Sequence, residues 1–413
     1  MLHRAGLVGV TISIIALAVF AFGPSTSVMT DTAHAQGVVA KGNLKYTGNA
    51  SCGASNCHGS TKPKAEYPRL NENIIWSTKD KHNKAYATLT NEKLKSGVSP
   101  SKMAKAMGIA DATKSDKCLN CHAVNVPPNL RGPKFDITEG VGCDGCHGPA
   151  EKWLEPHAEK GWTHEKSVAV GMYDTKNMLL RAERCVACHL QIEVDMVKAG
   201  HPDLLAFELA TFSSNMPPHW RDKGTFAESR VWATGQAVSL REAALQLANR
   251  AKGGADQKHL DEAFGKVQGH GAVIAYATDG GKAIQADVAT LADQVKKGDK
   301  AGIQATATKI ASAAGNEAKA AAGKEFDAAK TKAAMTGITA DADKIGATGV
   351  RGAEQAAMAL DRLYNAYSKA PGQKADKAAG DALDKLFGTI EDPAKYDAKA
   401  FSAAAKDFEK NLK

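Results

Sequence analysis

The sequence predicts a mainly α protein in two unlike parts, an irregular, loop-rich region followed by an Ala-rich antiparallel helical bundle. Two observations predict this. All eight cysteines fall between residues 52 and 188, among glycines and prolines that permit tight turns and close backbone approach. From Ser239 onward there is no cysteine or tryptophan and roughly a quarter of the residues are alanine, a composition that favours helix. At 413 residues the chain is long enough for two or three domains. The expected divisions are an export segment at 1–35, the loop-rich domain at 36–228, a linker at 229–238 and the bundle at 239–413.

In chain order, the N-terminus has Arg4, an apolar run from Leu7 to Phe22 and a small-residue segment ending AHAQ. This is the pattern of a secretory signal, with cleavage between Ala35 and Gln36 and a periplasmic destination. The rival reading is an uncleaved anchor through residues 7–23, because an apolar run of about 17 residues is at the lower edge for spanning a bilayer. Eight cysteines in an oxidising compartment would ordinarily suggest disulfides.

Their positions argue otherwise. The pairs are Cys52/Cys57, Cys118/Cys121, Cys143/Cys146 and Cys185/Cys188, and the next residues are His58, His122, His147 and His189. With 13 histidines in 413 residues, four such coincidences have odds on the order of one in a million, so the pattern is chemical. A disulfide has no use for an adjacent imidazole. Structural zinc does not need a histidine after each pair, and iron–sulfur clusters want a three-cysteine run. Covalent haem explains every element: two thiols add to the two vinyl groups, and the following imidazole becomes the proximal iron ligand. Four covalently bound haem c groups use all the cysteines and make residues 36–228 a tetrahaem cytochrome domain. Three pairs, CLNCH, CDGCH and CVACH, have the usual spacing. The first, CGASNCH, inserts Gly53 to Asn56, and we read it as a haem site whose longer loop bulges without moving the Cys-His end.

The net charge of +8 is spread along the chain with no dense Lys/Arg tract. About eight haem propionates would balance it, so the basic excess does not point to nucleic acid.

Each iron has a sixth position. Bis-histidine ligation gives low-potential electron-transfer haems, whereas an empty site binds small ligands. The segments WSTKDKHNKA, KCLNCH, GVGCDGCHGPAEKWLEPH and RCVACHLQIE resemble the tetrahaem cytochrome c-554 family over residues 45–195. That resemblance implies His82 and His157 as distal ligands and a five-coordinate second haem at Cys118, Cys121 and His122. The next segment, AGHPDLLAFELATFSSNMPPHW, departs from that family and resembles a wider group of multihaem cytochromes, in which His201 is a distal ligand. His219, in PPHW, is a further candidate, although a packed corner of proline and tryptophan would suit it too. His164 is a weaker one. Met103 and Met107 precede the second motif and could cap its haem, but apolar gap filling is the blander role.

In the bundle, SLRE at 239–242 reads as a capping box opening the first helix. Leu240, Ala243, Ala244, Leu247 and Ala251 then follow helical spacing. Further apolar stripes are Ala263, Phe264 and Val267; Ile284, Val288, Leu291 and Val295; Leu360, Leu363, Tyr364 and Tyr367; and Leu383, Leu386, Phe387 and Ile390. GG at 253 and 280, GD at 298, PG at 371 and EDP at 391 separate them. Four or five antiparallel helices are expected. His259 or His270 with Met358 would suit a non-covalent haem in such a core, but histidines in a lysine-rich chain are more often solvated.

The functional expectation is an exported electron carrier serving periplasmic redox proteins, with no nucleic-acid role. One alternative is reduction or binding of a small nitrogen species such as nitric oxide at an open second haem. The other is an interaction subunit whose bundle docks into a larger redox complex. No catalytic residue emerges: Asp116, the carboxylate beside Cys118, reads as solvated.

Overall fold

The computed structural model describes residues 42–91, 94 and 97–412. The expected signal or anchor at 1–35, with its apolar run at 7–23, lies outside them. Among the described residues the chain is mainly helical, with an isolated parallel bridge between Tyr46 and Arg131, and no helix is long and apolar enough to cross a membrane.

The first part holds ten short helices among the described residues. They are α1 (Asn49–Cys52), α2 (Glu72–Lys79), α3 (Ala85–Thr90), α4 (Pro100–Ala106), α5 (Asp116–His122), α6 (Cys143–His147), α7 (His164–Ala169), α8 (Met178–His189), α9 (Val194–Lys198) and α10 (Leu209–Asn215). Side-chain caps start several of them: Ser99 accepts from the Lys102 N–H at α4, and Asn177 from the Leu179 and Leu180 N–H groups at α8. Helices this short are marginal alone, and the local apolar cluster is small, Tyr46, Val124 and Val126 against Phe135. Close backbone approach is built in at Gly48, which has φ 82° and where a Cβ would lie 2.2 Å from the Lys134 carbonyl oxygen.

Among the described residues the second part holds nine helices rather than four or five. They are α11 (Ala227–Lys252), α12 (Gln257–Ala277), α13 (Gly281–Lys297), α14 (Lys300–Gly323), α15 (Ala328–Ala340), α16 (Ala342–Ala347), α17 (Val350–Ser368), α18 (Lys377–Gly388) and α19 (Ala398–Lys410). The breaks expected at 253, 280, 298, 371 and 391 all fall between helices, and the expected stripes are buried except for half-buried Phe387. The extra breaks come at Asp327, which caps α15, at Asp341 between α15 and α16, and at Gly349, φ 103°, between α16 and α17.

Two expectations at the start of the bundle are corrected. The linker at 229–238 and the capping box at Ser239 both lie inside α11, whose 26 residues run about 39 Å. Trp232, Ala233, Ala237, Val238, Ser239 and Leu240 are fully buried there. A helix buried nearly all round shows no single apolar stripe, so its first turns did not read as helix. Helix α11 packs along α14 and also against α12, α17, α8 and α10. Alanines line both α11 (Ala233, Ala237, Ala244, Ala251) and α14 (Ala307, Ala311, Ala314, Ala318), and small side chains allow close axes. Met178, Ala182 and Val186 of α8, with Phe207 and Leu209 at α10, belong to the same core.

Candidate haem-binding sites

Three motif histidines close a helix: His122 ends α5, His147 ends α6 and His189 ends α8. Their cysteines sit one and four residues earlier, so each set projects from about one helical turn. The first motif differs, because α1 ends at Cys52. The Cys57 N–H donates to the Ala54 carbonyl (2.9 Å) and the His58 N–H to the Cys52 carbonyl (3.1 Å). The four inserted residues thus form a closed loop that returns His58 to the first cysteine. Gly59 permits it, since a Cβ there would lie 1.9 Å from the Gly53 carbonyl oxygen.

Among the described residues no disulfide joins any of the eight cysteines. Cys52 meets Cys143, Cys188 meets Cys121, and Cys146 is within electrostatic range of Cys185. The motifs therefore stand in the order first, third, fourth, second. Among the described residues no three His, Cys, Asp or Glu side chains converge as they would on a bare metal ion.

The histidines form facing pairs. His58 and His157 stack with centroids 6.1 Å apart and planes 6° from parallel. His82 and His189 are 6.1 Å apart at 89°, and His122 and His201 are 6.4 Å apart at 75°. Two imidazole nitrogens each about 2 Å from one ion place the ring centres roughly 6 Å apart. Each pair joins a motif histidine to one remote in sequence. His201 thus stands opposite His122, the position that the family resemblance left open, while Met103 and Met107 are half-buried at α4.

Hydrogen bonds hold the rings with Nε2 free to face the partner. His122 Nδ1 lies 2.9 Å from the Ala85 carbonyl, His157 Nδ1 is 2.5 Å from that of Leu154, His201 Nδ1 is 2.8 Å from that of Pro202, and His219 Nδ1 is 3.0 Å from that of Pro217. A carbonyl only accepts, so each Nδ1 carries the proton and Nε2 keeps its lone pair. His58 Nδ1 meets Glu72 at 2.9 Å and His82 Nδ1 meets Asp80 at 2.8 Å. Burial works to raise both carboxyls, but hydrogen bonds from the imidazoles and backbone N–H groups outweigh it and hold them below their ordinary values. Burial holds His147 and His189 down to about 4 and lowers His122, so all three are neutral donors near pH 7. His219 packs edge-on against Trp220 with ring centroids 4.7 Å apart, and its charge adds to burial in lowering His147. Thiol pairs, proximal imidazoles and facing imidazoles together fit haem c.

The remaining candidates are accounted for otherwise. His164 Nε2 pairs with Asp174 at 2.8 Å, and Asp116 accepts from Asn125 at 2.9 Å. His259 sits 2.7 Å from Asp256, the cap of α12, and His270 is buried and bonded to Gln236 at 2.8 Å. His270 is therefore a satisfied core residue, not the solvated one expected, and Met358 is a packed core side chain.

Three of the four Cys-His units fall within residues 51–148. Those residues match the family described as Cytochrome c554 and c-prime. A cytochrome c-554 from Nitrosomonas europaea is 33% identical over 94 residues, 20% of this chain and 38% of that protein. The chain thus spans well under half the length of this curated relative. No solved structure matches it. The fourth motif and His157, His201 and His219 lie beyond the cytochrome c554 match. So does the bundle.

Sequence reading missed the groups that hold the rings. Glu72 and the carbonyls of Ala85 and Leu154 carry no motif, whereas Asp80, two residues before His82, had a legible signal: it also accepts the His82 backbone N–H at 2.9 Å. Phe207, stacked on His189 at 5.0 Å and 14°, was missed as well.

Proposed function

We propose that the protein is an exported tetrahaem c-type cytochrome that carries electrons between periplasmic redox proteins through bis-histidine haems. The observation that carries this reading is the set of facing imidazole pairs at 6.1–6.4 Å, each built from one motif histidine and one distant histidine. Bound haem supplies a reversible one-electron iron couple. The eight cysteines would tether it, His58, His122, His147 and His189 would hold its iron, and His157, His201, His219 and His82 respectively would supply the second imidazole. Fixed Nδ1 acceptors orient the rings and make them stronger donors. The row of motifs, first, third, fourth and second, suits relay along the molecule. His201 opposite His122 weighs against the reductase reading at an open second haem. The apolar N-terminal run and its Ala-x-Ala site support export.

Haem quantification, electron paramagnetic resonance of the oxidised protein and redox titration test this together. Four low-spin haems per chain at low potentials are expected. Three haems would remove CGASNCH from the set, a high-spin signal would restore the open-iron reading, and uniformly positive potentials would sink the bis-histidine assignment. The intact mass separates a mature chain starting at Gln36 from one that keeps residues 1–35.

A further inference from the structure

A buried cluster of charges lies where the bundle meets the loop after α9. The side chains of Arg250 and Lys266 are 1% exposed and that of Asp203 is 7% exposed. Arg250 Nη2 donates to Asp203 Oδ2 at 2.7 Å, and Lys266 Nζ donates both to Asp203 Oδ1 and to Gln246 Oε1, the latter at 2.7 Å. Arg250 and Gln246 also donate to the Ile192 carbonyl, at 3.2 and 3.0 Å, three residues past His189. Desolvating such ions costs several kcal/mol each, and apolar side chains of similar size often stabilise a core as well or better. A cluster of this kind is better explained by what it positions.

Asp203 follows His201 by two residues, with Pro202 between them. Proline fixes its own φ and drives the residue before it to extended backbone. Two residues span at most about 7 Å, so clamping Asp203 leaves the His201 backbone little room. Residues 201–208 have no helix or strand of their own to do this. Taking His122 and His201 as an axial pair, as above, we propose that the bundle is a latch on the second haem. Arg250 and Lys266 hold Asp203 so that His201 stays opposite His122. Releasing Asp203 opens that iron to a small diatomic ligand. Arg250, Lys266 and Gln246 are positioning residues in this scheme, because they act through Asp203 and touch neither ring.

The test uses the full-length, haem-loaded protein and four variants, Asp203→Asn, Lys266→Met, His201→Ala and Glu183→Gln. Paramagnetic resonance of the oxidised state and carbon monoxide titration of the reduced state are the readouts. Asp203→Asn and Lys266→Met should each produce a new high-spin signal and a roughly tenfold or greater gain in carbon monoxide affinity at one haem, as a larger open population requires. His201→Ala sets the full scale. Glu183→Gln breaks the 2.8 Å ion pair with Arg241 between the same two parts without touching Asp203, and should behave as wild type. The latch is overturned if both Asp203→Asn and Lys266→Met, with full haem content, stay low-spin and silent to carbon monoxide. It is also overturned if Glu183→Gln opens the iron equally. A His201→Ala protein with no new high-spin iron would instead remove the axial-pair reading beneath it.

Discussion

His270 and Glu72 show how single side chains carry different kinds of prediction. His270 Nδ1–H donates to Gln236 Oε1, Gln236 Nε2 donates to Gln355 Oε1 at 3.0 Å, and Gln355 Nε2 donates to the Phe207 carbonyl at 3.0 Å. Burial, helped by the charge of Lys266, holds His270 down from 6.5 to about 3. A base with a depressed folded value stays neutral where the unfolded chain takes up a proton. Its contribution to stability is therefore complete above pH 6.5 and declines as pH falls toward 3. Between pH 7.5 and pH 5 the wild type should lose about 2 kcal/mol through this group, and His270→Gln should lack that component. Denaturant unfolding at the two pH values measures it; identical losses in both proteins would mean that His270 takes up its proton in the fold. Glu72 acts on the first site instead. On the proposed tetrahaem reading an anionic acceptor would make His58 a stronger donor to iron, so Glu72→Gln should shift one haem midpoint positive and leave three in place. A spectroelectrochemical titration decides this, and a shift of all four would mean a general structural effect.

Elements are held in place by local chemistry that ranges from plain to hidden in the sequence. Covalent attachment needs two thiols and an imidazole on one short stretch, so the four Cys-His units, CGASNCH included, were legible as candidate attachment sites. The histidines that face the motif imidazoles were legible only as residue types, because the fold chooses which one faces which ring. Asp256, Asp299, Asp327, Asp376 and Asp397 each cap a helix by accepting backbone N–H groups, and reading Asp327 that way would have divided α14 from α15. Helix α11 hid its start because its first turns are buried nearly all round. Its Gly235 carries the contact with α10: a Cβ there would lie 2.8 Å from the Leu209 Cβ and 3.1 Å from its Cδ2. Alanine gains about 1 kcal/mol of helix propensity over glycine, but overpacking costs about 1–3 kcal/mol. Gly235→Ala should therefore lose roughly 1 kcal/mol in thermal or denaturant unfolding. A gain in stability would show that α10 yields freely.

At the scale of the whole molecule, the division between cysteine-rich and alanine-rich sequence is not a division in the structure. Helix α11 begins at Ala227 and buries Val231, Trp232 and Ala237 before the alanine-rich composition sets in. The bundle also holds the first part by polar contacts: Arg241 pairs with Glu183 at 2.8 Å, Gln191 donates to Glu242, and Gln355 donates to the Phe207 carbonyl. None of these pairs could be read from the sequence, because the partners lie tens to more than a hundred residues apart. Removing residues 239–413 should therefore do more than delete a docking module. It would leave a stub of α11 with an exposed apolar face, a recognised route to aggregation, and would free the segments that carry His189 and His201. The pairs His82/His189 and His122/His201 should fail, whereas His58 and His157, both on the N-terminal side of α8, should keep facing each other. The expected product is either insoluble or a protein whose low-spin signal has fallen by about half. A soluble truncated protein with four low-spin haems would show the opposite, that the haem-binding part folds unaided and the bundle serves something outside this chain.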